Sequence, residues 1–297
     1  MVNLVLLALM PVGFALNSVV GRALTGQFAP AQLTTVRWLL AGALVGLLIL
    51  VRGRKAERWS PGRSGWLRIC LLAAFGMGFC GYAAYAGAQA SSATNVSLIY
   101  TTTAALVVFY EILTRQQRAE TLLIAGVALS ISGAVMIITK GHPHQLAQLS
   151  FNVGDLWAVA GTISWAAYTI AMKRDKSDLT PLALFTVMCV IGAAAAAPFA
   201  AMETVMTGPP VITSTTVSWI AALVLLASVG SYLSYNLAIV RCGPILTSAA
   251  LTLTSVYTAV MAMVLINEQL AWYHAAGGAL VISGLGLINL QRSRSSV

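Results

Sequence analysis

Long apolar runs separated by short polar connectors dominate the chain, and no stretch alternates apolar and polar residues with the period of a half-buried strand. A bilayer hydrocarbon core about 30 Å thick takes roughly 20 apolar residues per helix. Ten runs meet that length, over residues 3–21, 33–51, 66–88, 94–111, 121–139, 153–173, 181–201, 216–239, 245–266 and 273–290. Inside hydrocarbon only helices and closed barrels satisfy every backbone donor and acceptor, and runs this long leave helices. The pattern predicts an all-α polytopic membrane protein with ten transmembrane helices. The first run, NLVLLALMPVGFALNSVV, has no basic residues ahead of it and carries Pro11 in its middle, so it reads as a resident helix and not a cleaved signal.

Composition agrees. Of the 297 residues, 59% are hydrophobic and only 8% charged, with a mean hydropathy of +0.85. A soluble domain is about 25% charged, so lipid must be the solvent for most of this surface. The net charge of +9 does not indicate nucleic acid, because the basic residues sit in connectors between the apolar runs, where membrane topology explains them. Fourteen of the seventeen lysines and arginines, from Arg52 and Arg54 through Arg115, Lys173 and Arg241 to Arg294, fall on one side of a ten-helix topology. Arg22, Lys140 and Arg37 fall on or near the other. The bias places both termini in the cytoplasm, which for a bacterial chain means an inner-membrane protein. Four cysteines (Cys70, Cys80, Cys189, Cys242) have no metal or redox spacing and read as buried thiols.

The chain repeats itself. GFALNSVVGRALTGQFAP (13–30) aligns without gaps to SWAAYTIAMKRDKSDLTP (164–181), bringing Phe14 onto Trp165, Asn17 onto Tyr168 and Pro30 onto Pro181. GYAAYAGA (81–88) matches SYLSYNLA (231–238), and ALSISGAVMI (128–137) matches ALVISGLGLI (279–288). The copies are residues 1–145 and 146–297, with five runs in each. An odd number of crossings inverts the second copy in the membrane. Inverted repeats are a transporter architecture in which substrate binds near the midplane between the halves, and rocking about it alternates access.

The order of these features resembles the drug/metabolite transporter superfamily, in particular its ten-helix EamA-type carriers. The resemblance rests on SWAAYTIAMKR (164–174), on YNLAIVRCGPILTSAALTLTSVYTAVMAMVLINEQL (235–270), on the following ALVISGLGLI, on prolines ahead of helices two and seven, and on Arg37 inside helix two. It implies a cup of helices around a central cavity that moves small metabolites without nucleotide hydrolysis. In helix four, IYTTTAALVVFYE (99–111) replaces the small-residue-and-proline stretch usual in the family. Polar and aromatic content there is similar to the branch exporting aromatic and other neutral amino acids, the YddG-like exporters, although three consecutive threonines depart from that branch.

Candidate substrate-binding residues follow from polarity inside the apolar runs. Tyr82 and Tyr85 on helix three, and Tyr232 and Tyr235 with Asn236 on helix eight, are paired at i and i+3 and share a helix face. A hydrated cavity would supply the partners their hydroxyls need; an interfacial aromatic belt is the competing reading. Asn17 on helix one, Asn95, Tyr100 and Thr102 on helix four, Trp165 and Tyr168 on helix six, and Ser248 on helix nine complete the set. Serine and threonine in such helices also bond their own backbone or a neighbouring helix. Paired glycines at 42 and 46, and at 76 and 78, read as close packing.

Absences narrow the chemistry. All eight acidic residues fall in connectors or at helix ends, and no histidine lies mid-membrane, so no proton relay is visible. Arg37 lies one turn from the outer surface, where reach to the interface explains it. No GxxxxGK[ST] loop, nucleophile–base pair or metal cluster is present, so no enzyme activity, cofactor or metal is expected. The expected partners are the bilayer and a small neutral or zwitterionic solute, most simply an amino acid exported without ion coupling. A nucleoside, another neutral metabolite or a lipophilic drug, and coupling to protons, stay open. Two complete halves in one chain allow a working monomer.

Overall fold

A computed structural model of the protein describes residues 2–51, 65–91, 93–148, 152–174, 177, 179–266 and 271–295. Among them all regular structure is helical. The passes are α1 (Val2–Ala23), α2 (Pro30–Val51), α3 (Gly65–Ala90), α4 (93–113), α5 (Thr121–Ile138), α6 (Val153–Lys173), α7 (Pro181–Thr207), α8 (214–242), α9 (244–266) and α10 (Trp272–Ser295). Eight helices among the described residues are long and apolar enough to cross a membrane. One of them, Ser214–Ala250, has 37 residues, about 55 Å at the α-helical rise and too long for a single crossing. It is broken at Gly243, where φ is 77° and ψ 162°, and Pro244 follows. Glycine takes that φ without a Cβ clash, and proline then removes the next N–H. The Gly-Pro pair therefore separates α8 from α9. The less apolar α6 completes the ten.

Local chemistry sets the other boundaries. Pro30 and Pro181 open α2 and α7, where the missing N–H costs nothing. Thr180 caps α7, its side chain accepting from the Ala183 N–H at 3.3 Å. Asn152 and Asp155 form a reciprocal capping box at the start of α6. In α3 and α8 the helix widens to π geometry over Ala74–Phe79 and Leu223–Tyr232, just ahead of or reaching each tyrosine pair. Those segments fall at matching places in the two copies. Such widened turns re-aim side chains and concentrate at functional sites.

The helices pack as two interlocked copies. α1 packs on α8 and α9, and its mate α6 packs on α3 and α4; α2 meets α7, and α5 meets α10. Glycines make the last contact close. A Cβ on Gly133 would stand 2.5 Å from the Gly277 carbonyl oxygen, and one on Gly126 2.8 Å from that of Gly284. Gly126 and Gly277 are repeat equivalents, as are Gly133 and Gly284, so each pair crosses between copies. Gly42 and Gly78 likewise admit α7, lying against Cys189 and Gly192, and Gly76 lies under the Tyr168 ring. Outward faces carry Leu39, Leu47, Leu50, Val205 and Ile282, all exposed, as a lipid-facing surface requires.

Candidate functional site

A cavity of about 620 Å³ lies between the two copies, bounded by α1–α6 and α8–α10. It reaches the surface beside Lys140, just beyond α5, and His274, at the start of α10. Its deep end is aromatic. Phe14 and Trp165, which the internal repeat aligns, meet edge to face with ring centroids 5.6 Å apart. Tyr232 lies 5.3 Å from Phe14 and 5.2 Å from Trp165. Behind them Tyr235 sits 4.8 Å from Trp165, and Tyr168 stacks on it at 5.2 Å. Rings at such spacings attract through their quadrupoles as well as through area.

Below this floor lies a layer of hydrogen-bonded side chains. The Tyr168 hydroxyl donates to Asn236 Oδ1 at 2.6 Å, the Thr169 and Tyr235 hydroxyls bond at 2.7 Å, and Ser164 donates to the Phe75 carbonyl at 2.9 Å. At the far end Lys173 pairs with buried Glu111 at 3.2 Å, and Arg68 donates to the Arg174 carbonyl at 2.9 Å. This is the end at which the basic connectors gather.

The wall nearer the mouth holds Arg37, only 1% exposed. It does not reach the interface; the snorkelling expected from its position is replaced by a built polar nest. Its Nε donates to Ser228 Oγ at 2.7 Å, and its Nη1 donates to Asn17 Oδ1 at 2.8 Å and the Tyr85 hydroxyl at 2.9 Å. The guanidinium lies 4.4 Å from the Trp38 ring centroid and 5.2 Å from that of Tyr232. Across the cavity Ser248, Thr252 and Ser255 donate to their own helix backbone, leaving acceptor capacity toward the cavity.

Of the residues picked out by sequence, Asn17, Tyr85, Tyr100, Trp165, Tyr232 and Ser248 line this cavity. Tyr168, Tyr235 and Asn236 do not; they form the bonded layer beneath its floor. Tyr82 points elsewhere, packing on Trp157 at 5.1 Å and Phe199 at 6.5 Å. Positions i and i+3 are still about 60° apart around a helix, enough to put Tyr85 in the cavity and Tyr82 outside. Thr102 is exposed at a break in α4, where its hydroxyl donates to the Ile99 carbonyl at 2.6 Å, and its neighbours Thr101 and Thr103 line the cavity instead. The Asn95 side chain lies outside the described residues. Arg37 and Phe14 also line the cavity and were not among the candidates. Phe14 had a usable signal in its alignment to Trp165, and Arg37 in being a cation set a full turn inside an apolar run. Among the described residues no group of three or more His, Cys, Asp or Glu side chains could hold a metal.

A multi-pass helical bundle whose halves enclose a cavity open at one end is the build of a membrane transporter. The sequence matches the EamA-like transporter family twice, over residues 1–139 and 152–290, and the chain belongs to that family. An "Uncharacterized transporter" of Archaeoglobus fulgidus is 26% identical over 266 residues, 88% of each chain. "Uncharacterized transporter YyaM" of Bacillus subtilis is 26% identical over 271 residues, 88% of this chain and 84% of its own. A solved crystal structure superposes with a TM-score of 0.75 over 96% of this chain and 98% of its own; at 17% identity it speaks for the fold. The protein is thus a multi-pass membrane transporter of the drug/metabolite transporter superfamily.

Proposed function

We propose that the protein is a secondary carrier exporting small neutral or zwitterionic metabolites, namely amino acids including aromatic ones, by alternating access and without ion coupling. The observation that carries this reading is the pairing of repeat mates Phe14 and Trp165 at the closed end of a cavity otherwise open toward Lys140. The two copies hold equivalent residues in opposite settings: Asn17 and Tyr85 face the open cavity, while Tyr168 and Tyr235 lie in the sealed layer. Exchange of those settings is the rocking that an inverted repeat provides. Aromatic walls and hydroxyls suit a zwitterion with an apolar side chain, and no Asp or Glu is among the cavity-lining residues to serve as a proton site. The positive-inside bias puts the basic, sealed end in the cytoplasm, so the described state faces outward.

Uptake of radiolabelled tryptophan and alanine into protein-containing liposomes, with and without an imposed pH gradient, tests this. The expected result is saturable uptake that the gradient does not change. Dependence on the gradient keeps the substrate class and removes the uncoupled mechanism. Uptake of a nucleoside in place of either amino acid replaces the substrate class.

A further inference from the structure

We infer that Arg37 is the anion-recognition residue of the cavity and that it takes the carboxylate group of the substrate. The inference rests on the reading that this cavity is where substrate binds, and it narrows the substrate to a molecule bearing a carboxylate.

A guanidinium carries five N–H donors and is always charged. Nε and Nη1 spend three of them on Ser228, Asn17 and Tyr85. Nη2 is buried with no hydrogen-bond partner. All three acceptors are neutral, and among the described residues no carboxylate pairs with Arg37. A charge held away from water and paired only with neutral oxygens and ring faces is costly, and inside a membrane such residues mark substrate or ion paths. The nest therefore holds the guanidinium in place without neutralising it. What is missing is one anionic acceptor for Nη2, on a residue that belongs to the lining of a cavity large enough for an amino acid.

The rest of the lining defines which anion fits. Arg37 is the cation buried deep in the wall; Lys140 and His274 stand only at the mouth. A phosphate dianion would need several donors converging at one point, whereas Nη2 offers a single pair, the count that suits one carboxylate. Tyr232 links this residue to the aromatic floor, its ring centroid lying 5.2 Å from the Arg37 guanidinium and 5.2 Å from the Trp165 ring. A carboxylate held by Arg37 leaves an attached apolar or aromatic side chain next to Tyr232, whose ring borders Trp165 and Phe14. An ammonium group beside it meets ring faces instead of an acid.

The test compares ligand-induced thermal stabilisation of the purified, detergent-solubilised protein by tryptophan, indole-3-propionate (carboxylate, no amine) and tryptophanamide (amine, no carboxylate). The expected result is stabilisation by both acids, with the amide weaker by about 10- to 100-fold in apparent affinity, the range for losing a hydrogen bond to a charged group. In Arg37→Gln the preference for acid over amide should vanish. If that variant does not fold, Arg37→Lys retains the charge and should keep the preference at reduced affinity, while the wild-type comparison decides by itself. Equal action of acid and amide on the wild type overturns the assignment and leaves the amino-acid reading intact. Stabilisation by indole-3-propionate without tryptophan supports the carboxylate site and removes the amino-acid reading. No stabilisation by either acid overturns the inference.

Discussion

Replacing Trp165 by alanine removes the ring on which the closed end of the cavity is built. Trp165 touches Phe14, Tyr168, Tyr232 and Tyr235 with centroids 4.8–5.6 Å apart. Aromatic pairs contribute about 0.5–1.5 kcal/mol each beyond buried area, so four contacts in one cluster set a ceiling of roughly 2–6 kcal/mol, with neighbours sharing rings and not adding in full. Truncating a buried tryptophan in a soluble core costs about 3–5 kcal/mol. Trp165→Ala should therefore lose about 3 kcal/mol, read as a lowered unfolding midpoint in detergent. Transport should fall further than folding does. If the ring forms the floor against which substrate packs, KM for tryptophan rises at least about 10-fold per folded molecule, the loss expected from roughly 1.4 kcal/mol of contact. Trp165→Phe keeps a ring facing Phe14 and Tyr232 and should recover most of both. The reasoning is refuted if Trp165→Ala loses stability but transports tryptophan with unchanged KM, since the ring would then only pack.

Two further outcomes follow from the packing. Gly133→Val drives a side chain into the Gly277 carbonyl and should destabilise by about 1–3 kcal/mol through overpacking, whereas Gly286→Ala, with open space around it on the same α10, should be neutral; thermal unfolding of the two variants separates contact from helix propensity. Lys173→Met leaves Glu111 without its cation and should cost about 1–3 kcal/mol, less than a fully buried pair because Lys173 is 42% exposed. Adding Glu111→Gln to Lys173→Met should restore the unfolding midpoint in a double-mutant comparison.

Much of this was legible in the chain, for identifiable reasons. Apolar runs of bilayer length marked every pass, because hydrocarbon leaves the backbone no other solution. The repeat aligned Phe14 with Trp165, and in the structure the two rings meet. Helix periodicity alone placed side chains less well. Tyr82 lies outside the cavity because the offset of about 60° between i and i+3 is enough to separate it from Tyr85, and Thr102 because α4 breaks there. Arg37 was hidden for a different reason. Its distance from the helix end allows either a reach to water or a burial, and only the facing groups on α1, α3 and α8 select burial. Those contacts are tertiary, joining residues 20, 48 and 191 positions apart, and no local pattern encodes them.

The central claim is that one cavity is served alternately from two ends. Two single cysteines, Thr101→Cys at the cavity wall and Thr169→Cys in the sealed layer beside Tyr235, report on it directly in a background with Cys70, Cys80, Cys189 and Cys242 replaced by alanine. The rate of reaction with a water-soluble maleimide is measured for each, with and without saturating tryptophan. The account predicts fast labelling at position 101 and slow labelling at 169 without substrate. It further predicts that substrate slows the first and speeds the second. Rates that do not respond to tryptophan, or that move in the same direction at both positions, would contradict alternating access through this cavity.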